Sequence, residues 1–356
     1  MTTPAFLDAF HRLGAKPGER GMPPSRKLGL LIRPAFIARP GRTFVWCDWS
    51  AIEARVLPWL ANSRSAEAVL DIFRENDKDK SRPDIYKITA GALLNKHPSE
   101  VTDDERQAYG KVPVLSLGFG GGLGALVAMA TNYRVYLDET TGLKVIEGWR
   151  ETNPWARGFW GKHDRGESFG LWGAINRALE DPNTIHTAGR VAYVYDPQYM
   201  GGTVFCALPG GRLLTYPTIR WEKREVEWPK GSKQLVERTV LSFRKDYGRS
   251  FLWYGKLAEN VTQALAASIL RGTLVKLEYD EINPGHDDEK FVDLMPVVGH
   301  THDEVLTEPR EEEADDAAQL LHDVMVEGFD WSEGLPLAAE ATTNWYYTKA
   351  KEEKRK

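Results

Sequence analysis

Apolar residues run without a break through Thr43-Phe-Val-Trp-Cys47, the pattern of a buried strand, and Asp48 stands at its end. Ser50-Ala-Ile-Glu53 then has the spacing of a capping box, and Ile52, Val56, Leu57 and Leu60 recur at helical intervals, which predicts a helix opening there. Residues 62–100 continue as helices with charged loops. The Gly-rich segment Gly118-Phe-Gly-Gly-Gly-Leu-Gly124 precedes further helices to about residue 180. Over residues 190–250 the period changes. Val191-Ala-Tyr-Val-Tyr and Thr239-Val-Leu-Ser-Phe alternate on either side of Pro209-Gly-Gly, predicting a β-rich insertion. From Trp253 to about Glu278 a long helix is predicted, with Lys256, Asn260, Gln263, Ala267 and Arg271 on one face at steps of three or four. Pro296-Val-Val-Gly-His300 and Glu304-Val-Leu-Thr307 predict two short strands around a turn at Thr301-His302-Asp303. Residues 1–42, rich in Gly, Pro and Arg, read as an arm with at most a short helix at 4–13, and 349–356 as a charged tail.

Composition narrows the class. A chain of 356 residues suggests two or three subdomains, and 42% hydrophobic with 27% charged residues excludes disorder, collagen and coiled coil. No stretch approaches the roughly 20 apolar residues of a membrane helix, and the start lacks the features of a secretory signal. Cys47 and Cys206 are the only cysteines, without zinc or disulfide spacing, so a reducing, cytosolic setting is expected. The net charge of −5 argues against wholesale coating of nucleic acid, yet local fields differ from the total. Basic residues crowd the first 42 positions, from Arg12 to Arg42, and acids gather at Glu311-Glu-Glu-Ala-Asp-Asp316.

Asp48 and Asp303 each lie where a strand ends or turns. Carboxylates so placed can meet at one open sheet edge and bind Mg²⁺, a hard cation that keeps waters and shares its shell with substrate phosphates. Alone, Asp303 reads first as a turn residue. The glycine segment has no Walker Lys-Ser/Thr after it, so it is not a phosphate loop of that kind.

Asp48-Trp-Ser-Ala-Ile-Glu-Ala-Arg55 resembles motif A of the family A (Pol I-like) DNA polymerases, and His302-Asp-Glu304 resembles their motif C. Arg106-Gln-Ala-Tyr-Gly-Lys111 with Leu117-Gly-Phe-Gly-Gly121 resembles motif B. Tyr254-Gly-Lys-Leu-Ala-Glu-Asn-Val-Thr-Gln263 is similar to the Asn/Gln helix of phage-encoded members. The four matches come in the family's order. The resemblance implies an α/β (α+β) fold, a right-hand polymerase palm sheet with helical fingers. The palm would take 43–61 and 251–348, the fingers 62–180, and 181–250 would be an insertion.

It also implies roles. Asp48 and Asp303 would hold two Mg²⁺ ions, with Glu304 beside them in the catalytic set, for transfer of a dNTP to a primer 3′ end. Glu53 would exclude a ribose 2′-hydroxyl, although it also fits the capping box of Ser50. Lys111 and Arg106 would meet the triphosphate, Phe119 would stack under the nascent pair, and Tyr86 would lie near the triphosphate or in the core. Gln263, Asn260 and Lys256 would face the minor groove of primer–template DNA, where contacts sense pairing geometry. Arg212 and His302 would lie close to the DNA, Arg212 reading equally as a turn residue. Gly120 to Gly122 would leave room for the template backbone.

The sequence departs from the pattern in three places. Gln107 stands four residues before Lys111 where relatives carry Arg, and Arg106 is one earlier, about 100° round an α-helix. Pro113 forces the helix to start late or to bend. Only 47 residues precede Asp48, too few for a thumb or a proofreading exonuclease. A split or truncated polymerase without exonuclease activity is therefore expected, with a separately encoded thumb- or exonuclease-bearing protein as partner and no membrane association. Phage or prophage origin would place it in the bacterial host cytoplasm. The competing readings are a single-subunit RNA polymerase, against which Glu53 argues, and a non-catalytic or partner-dependent primer–template-binding subunit.

Overall fold

The computed structural model describes residues 31–161, 169–227, 234–279 and 294–348. The short helix expected at 4–13 and the tail at 349–356 lie outside the described residues. The chain divides into two compact units. One holds Met1–Ser50, Ile269–Gly328 and Leu337–Lys356; the other holds Ala51–Ser268 and Phe329–Pro336.

The first unit is built on a four-stranded antiparallel sheet in the order β11-β1-β10-β9, from β1 (Phe44–Trp49), β9 (Val297–Thr301), β10 (Glu304–Thr307) and β11 (Ala339–Asn344). β1 is interior and covered on both faces, which is why its sequence is continuously apolar rather than alternating. One face carries Phe44 and Trp46 against Tyr347, with Trp46 and Tyr347 edge to face at 5.5 Å. On the other face Trp49 is buried, and its indole N–H donates to the Met325 carbonyl at 2.8 Å. Met325 belongs to a helix over Ala314–Glu327 that the hydrophobic pattern did not single out. Its Asp315 and Asp316, part of the acidic run at 311–316, lie in the first turn, where carboxylates favour the helix dipole. Of the basic N-terminal residues, Arg39 and Arg42 are tied to Glu308. Arg39 pairs with its carboxylate at 2.7 Å, and Arg42 donates to its carbonyl at 2.7 Å.

In the second unit, α1 (Ile52–Ala61), α2 (Arg64–Lys78) and α3 (Ile85–Leu94) lead into a continuous helical stretch over 103–117. The helices α5 (Leu123–Asn132), α6 (Glu139–Thr152), α7 (Pro154–Trp160) and α8 (Gly170–Glu180) follow, with α4 reserved for Val112–Leu117 within the preceding stretch. Two antiparallel sheets form the predicted β-rich segment. The first, β2 (His186–Ala188), β3 (Val191–Asp196), β4 (Thr203–Ala207) and β5 (Leu213–Pro217), is a meander. The second comprises β6 (Arg220–Glu227), β7 (Leu235–Lys245) and β8 (Gly248–Leu252). The long helix α9 runs over Tyr254–Tyr279, its residues up to Ser268 belonging to this unit and those from Ile269 to the first.

Two local expectations are corrected. Ser50 does not cap α1. The helix is entered through Ala51 in the left-handed conformation (φ 54°), one residue after Ser50, whose own N–H donates to the Ala338 carbonyl at 2.8 Å. Pro113 does not delay the helix, which runs on over 103–117; the irregularity before it is a π turn over Arg106–Lys111, with the Val112 N–H reaching back five residues to the Gln107 carbonyl.

Candidate active site

In the first unit the sheet register gathers carboxylates at one end. Asp48 lies directly opposite Glu304 on β10 and opposite Glu340 on β11, and the Trp49 N–H donates to the Asp303 carbonyl at 2.9 Å. Directly opposed residues of antiparallel strands have Cα atoms about 5 Å apart. The two aspartates, 255 positions apart in sequence, are thus near neighbours at the end of adjoining strands. His302 and Asp303 form the two-residue turn of the β9–β10 hairpin, with His302 exposed at φ 33°.

Asp48 and Asp303 are half-buried, whereas Glu304 is buried and accepts a hydrogen bond from the Tyr347 hydroxyl. Burial, and next that hydrogen bond to the carboxylate, raises the Tyr347 pKa above its usual value. The field of the cluster is felt at Cys47. Its thiol is pushed up to about 12, first by burial and then by the charges of Asp48, Glu304 and Glu340.

Glu340, Asp48 and Glu304 form a cross-strand row of carboxylates on one face of the sheet. Oxygen donors of this kind suit Mg²⁺. Among the described residues no three His, Cys, Asp or Glu side chains are gathered into a group that could hold a metal ion. Glu340 was not foreseen. Ala339–Asn344 alternates too weakly to announce a strand, and only the pairing with β1 reveals the residue's place.

The second unit holds the motif B residues. An α-helix would put Arg106 and Lys111 on different faces. The π turn, with its five-residue hydrogen bonding, instead places Arg106 one turn before Lys111, the relation that a four-residue spacing gives in an α-helix. Arg106 donates to Asp84 at 2.8 Å and lies 4.9 Å over the Tyr86 ring. Tyr86 is buried, and burial pushes its hydroxyl up to about 12. The Lys111 ammonium lies 5.1 Å over Tyr133.

Phe119 is half-buried in the turn after α4 rather than on the helix, because α4 ends at Leu117. The room expected at three successive glycines is partly taken by the chain itself. A Cβ on Gly120 (φ 73°) would come within 2.6 Å of Tyr254, and one on Gly121 within 2.1 Å of the Ser116 carbonyl; only Gly122 opens to free space.

Along α9 the predicted residues escape burial, as do Tyr254, Glu259 and, toward the end of the helix, Val275 and Glu278. Lys256, Asn260, Gln263, Ala267 and Arg271 stay accessible, with Leu257, Val261, Leu265 and Ile269 buried. The Gln263 amide donates to Glu53, the Asn260 amide to the Tyr216 hydroxyl at 3.2 Å, and Lys256 pairs with Glu259 at 3.1 Å. Arg212 donates to the Ala264 carbonyl of α9 at 3.0 Å, so it bears on the helix as well as on its own turn. Glu53, two residues after the left-handed Ala51, thus meets the Gln263 face of α9. A left-handed alanine costs about 1–3 kcal/mol, the kind of strain found at functional sites.

No family profile matches the chain. Over 324 residues it is 31% identical to a DNA polymerase of Bacillus phage SP02, a match covering 90% of this chain and 44% of that protein. The POL domain of Pol1 from M. smegmatis, solved in complex with DNA primer–template and dNTP, matches with a TM-score of 0.55 over 93% of this chain and 44% of the other, at 15% identity. The chain thus spans under half the length of either. The resemblance read from the ordered motifs holds: this chain is related in sequence to a phage DNA polymerase and has the α+β fold of a Pol I-type polymerase domain.

Proposed function

We propose that this chain is the catalytic core of a template-directed DNA polymerase. The observation that carries the reading is the convergence of Asp48 and Asp303 at one end of the sheet, beside Glu304 and Glu340. In the proposed reaction the primer 3′-oxygen attacks the α-phosphate of a dNTP, forming a phosphodiester as the bond to pyrophosphate breaks. Two Mg²⁺ ions, held by Asp48 and Asp303, would supply activation of the 3′-hydroxyl and charge neutralisation on the leaving pyrophosphate. Glu304, buried under Tyr347, keeps the end of β10 in register with Asp48. Lys111 and Arg106, one turn apart, receive the triphosphate beside Tyr86, and Phe119 stacks on the nascent pair. Gln263, Asn260 and Lys256 line the minor-groove face, with Arg212 behind α9 and His302 at the hairpin tip.

Glu53, fixed by Gln263, is the proposed barrier to a ribose 2′-hydroxyl. Glu53→Ala is expected to raise rNTP relative to dNTP incorporation by roughly 10- to 100-fold, the range set by a small steric feature in a pocket. Single-nucleotide extension of a primed template with each nucleotide measures this. Equal discrimination by the two proteins would remove Glu53 from the role, and efficient rNTP use by the wild type would favour an RNA polymerase. Binding of primer–template with no extension under any condition would favour the non-catalytic reading.

The chain matches 44% of the phage relative's length. A separately encoded thumb-bearing protein is the proposed partner on the duplex, and a candidate that raises neither primer–template affinity nor product length would count against it. No helix among the described residues is long and apolar enough to cross a membrane, and the phage relative makes a bacterial host cytoplasm the proposed place of action.

A further inference from the structure

We propose that one face of the β6–β7–β8 sheet is a docking surface for the phosphate backbone of duplex DNA; the inference rests on the polymerase reading above. Side chains alternate across a strand, and cross-strand partners share a face. The register pairs Arg220 with Ser242, Glu222 with Val240, Arg224 with Arg238, Ser242 with Phe251 and Arg244 with Arg249. One face therefore carries five arginines, at 220, 224, 238, 244 and 249, against a single acid, Glu222. The opposite face has a different character. It buries Leu241, Phe243 and Leu252, and its charged members are mixed in sign, with Lys223 paired to Glu237 at 3.0 Å. In a chain whose net charge is −5, this sorting of arginine to one side of one sheet is a local positive field.

Two of the register pairs set arginine directly opposite arginine, Arg224 with Arg238 and Arg244 with Arg249. Three of the five surround the one carboxylate: Arg220, Arg224 and Arg249 lie 3.2, 2.9 and 3.5 Å from Glu222. Arg249 is also locked by hydrogen bonds to Ser242 at 2.9 Å and to the Thr218 carbonyl at 2.7 Å, which fixes the floor of the patch. Arg220, Arg224, Arg238 and Arg244 remain exposed, and Arg224 rests 5.0 Å over Phe251, itself partly exposed. Guanidinium groups spread over three strands match a row of phosphates and carry no means of reading bases, so the expected binding is independent of sequence.

The test is binding of a fluorescently labelled primer–template duplex to the full chain, by anisotropy, over a range of KCl concentrations and with two unrelated duplex sequences. Arg224→Gln/Arg238→Gln/Arg244→Gln is expected to make the slope of log affinity against log salt shallower by about 2.7, three phosphates at roughly 0.9 each, equally for both sequences. Lys223→Gln/Lys245→Gln on the opposite face should leave the slope unchanged, and the triple Arg→Lys variant should retain it. Single-nucleotide extension by the same variants, measured in parallel, reads catalysis separately from this surface. An unchanged slope in the triple Gln variant, loss of slope in the triple Lys variant, an equal loss from the opposite-face pair, or no duplex binding by the wild type would each overturn the proposal. So would capture of polyglutamate by this face with the DNA slope intact.

Discussion

Replacing either Asp48 or Asp303 with alanine is expected to lower single-nucleotide extension by about 10³-fold or more, roughly 4 kcal/mol of transition-state stabilisation. The double substitution is expected to cost little beyond either single one. Two carboxylates that share the same ions act as a unit, and removing one disables the other. The sheet register gives this its structural basis, since Asp48 faces Glu304 while the Trp49 amide is bonded to Asp303. Rapid-quench extension on a primed template, with affinity for the duplex measured in parallel, separates catalysis from binding. Full additivity of the two substitutions would indicate independent roles and count against shared ions.

The second large effect concerns stability. Arg55, in the middle of α1, is 3% exposed and makes a two-pronged pair with Asp77 in the last turn of α2, at 2.5 and 2.9 Å, while its guanidinium lies 4.4 Å over Phe73. Asp77→Ala would leave that cation buried without its carboxylate, at a cost of about 3–5 kcal/mol. Arg55→Met/Asp77→Leu, which removes both charges and fills the volume, should cost less than Asp77→Ala alone.

The pH dependence has a definite sign. Burial would raise the Asp77 carboxyl, but the hydrogen bonds and charge of Arg55 outweigh it and hold its pKa below the ordinary 3.8. Stability from a depressed carboxyl is present above the unfolded value and is lost as pH falls through the folded one. The wild type should therefore lose this contribution below about pH 4, and the acid limb of the Asp77→Ala protein should be flatter. Urea unfolding of both proteins at pH 7 and pH 3 checks this. A cost near zero at pH 7 would show that the pair does not hold α1 to α2.

Much of this was legible in the residues, and the parts that were not share a cause. β1 announces itself because an interior strand covered on both faces must be apolar throughout, and Phe44 to Cys47 are. Lys256, Asn260, Gln263, Ala267 and Arg271 of α9 follow from a helical period that the buried Leu257, Val261, Leu265 and Ile269 complement. The sequence also placed Asp48 and Asp303 at strand ends, but their adjacency rests on the pairing of β1 with β10, which no local pattern encodes. For the same reason Glu340 escaped notice. Ala339–Asn344 is recognisable as a strand only once β1 is there to pair with it.

Ser50 and Glu53 had the spacing of a capping box, yet the strand runs one residue further and Ala51 turns the chain instead, with Glu53 meeting Gln263. Arg106 looked one residue out of place because an α-helical period was assumed. The π turn takes up the extra residue, and the offset disappears. The Arg face of β6–β8 was hidden for a simpler reason. Its arginines lie among nearly as many acids in sequence, and only the strand alternation separates the two sets.

The most direct test of the central claim is the binding of Mn²⁺, as a spectroscopic stand-in for Mg²⁺, to the chain in complex with a dideoxy-terminated primer–template and dNTP, followed by electron paramagnetic resonance. The account predicts bound Mn²⁺ in the wild-type complex and its loss from both the Asp48→Ala and the Asp303→Ala complexes. Mn²⁺ bound equally by all three proteins would contradict it.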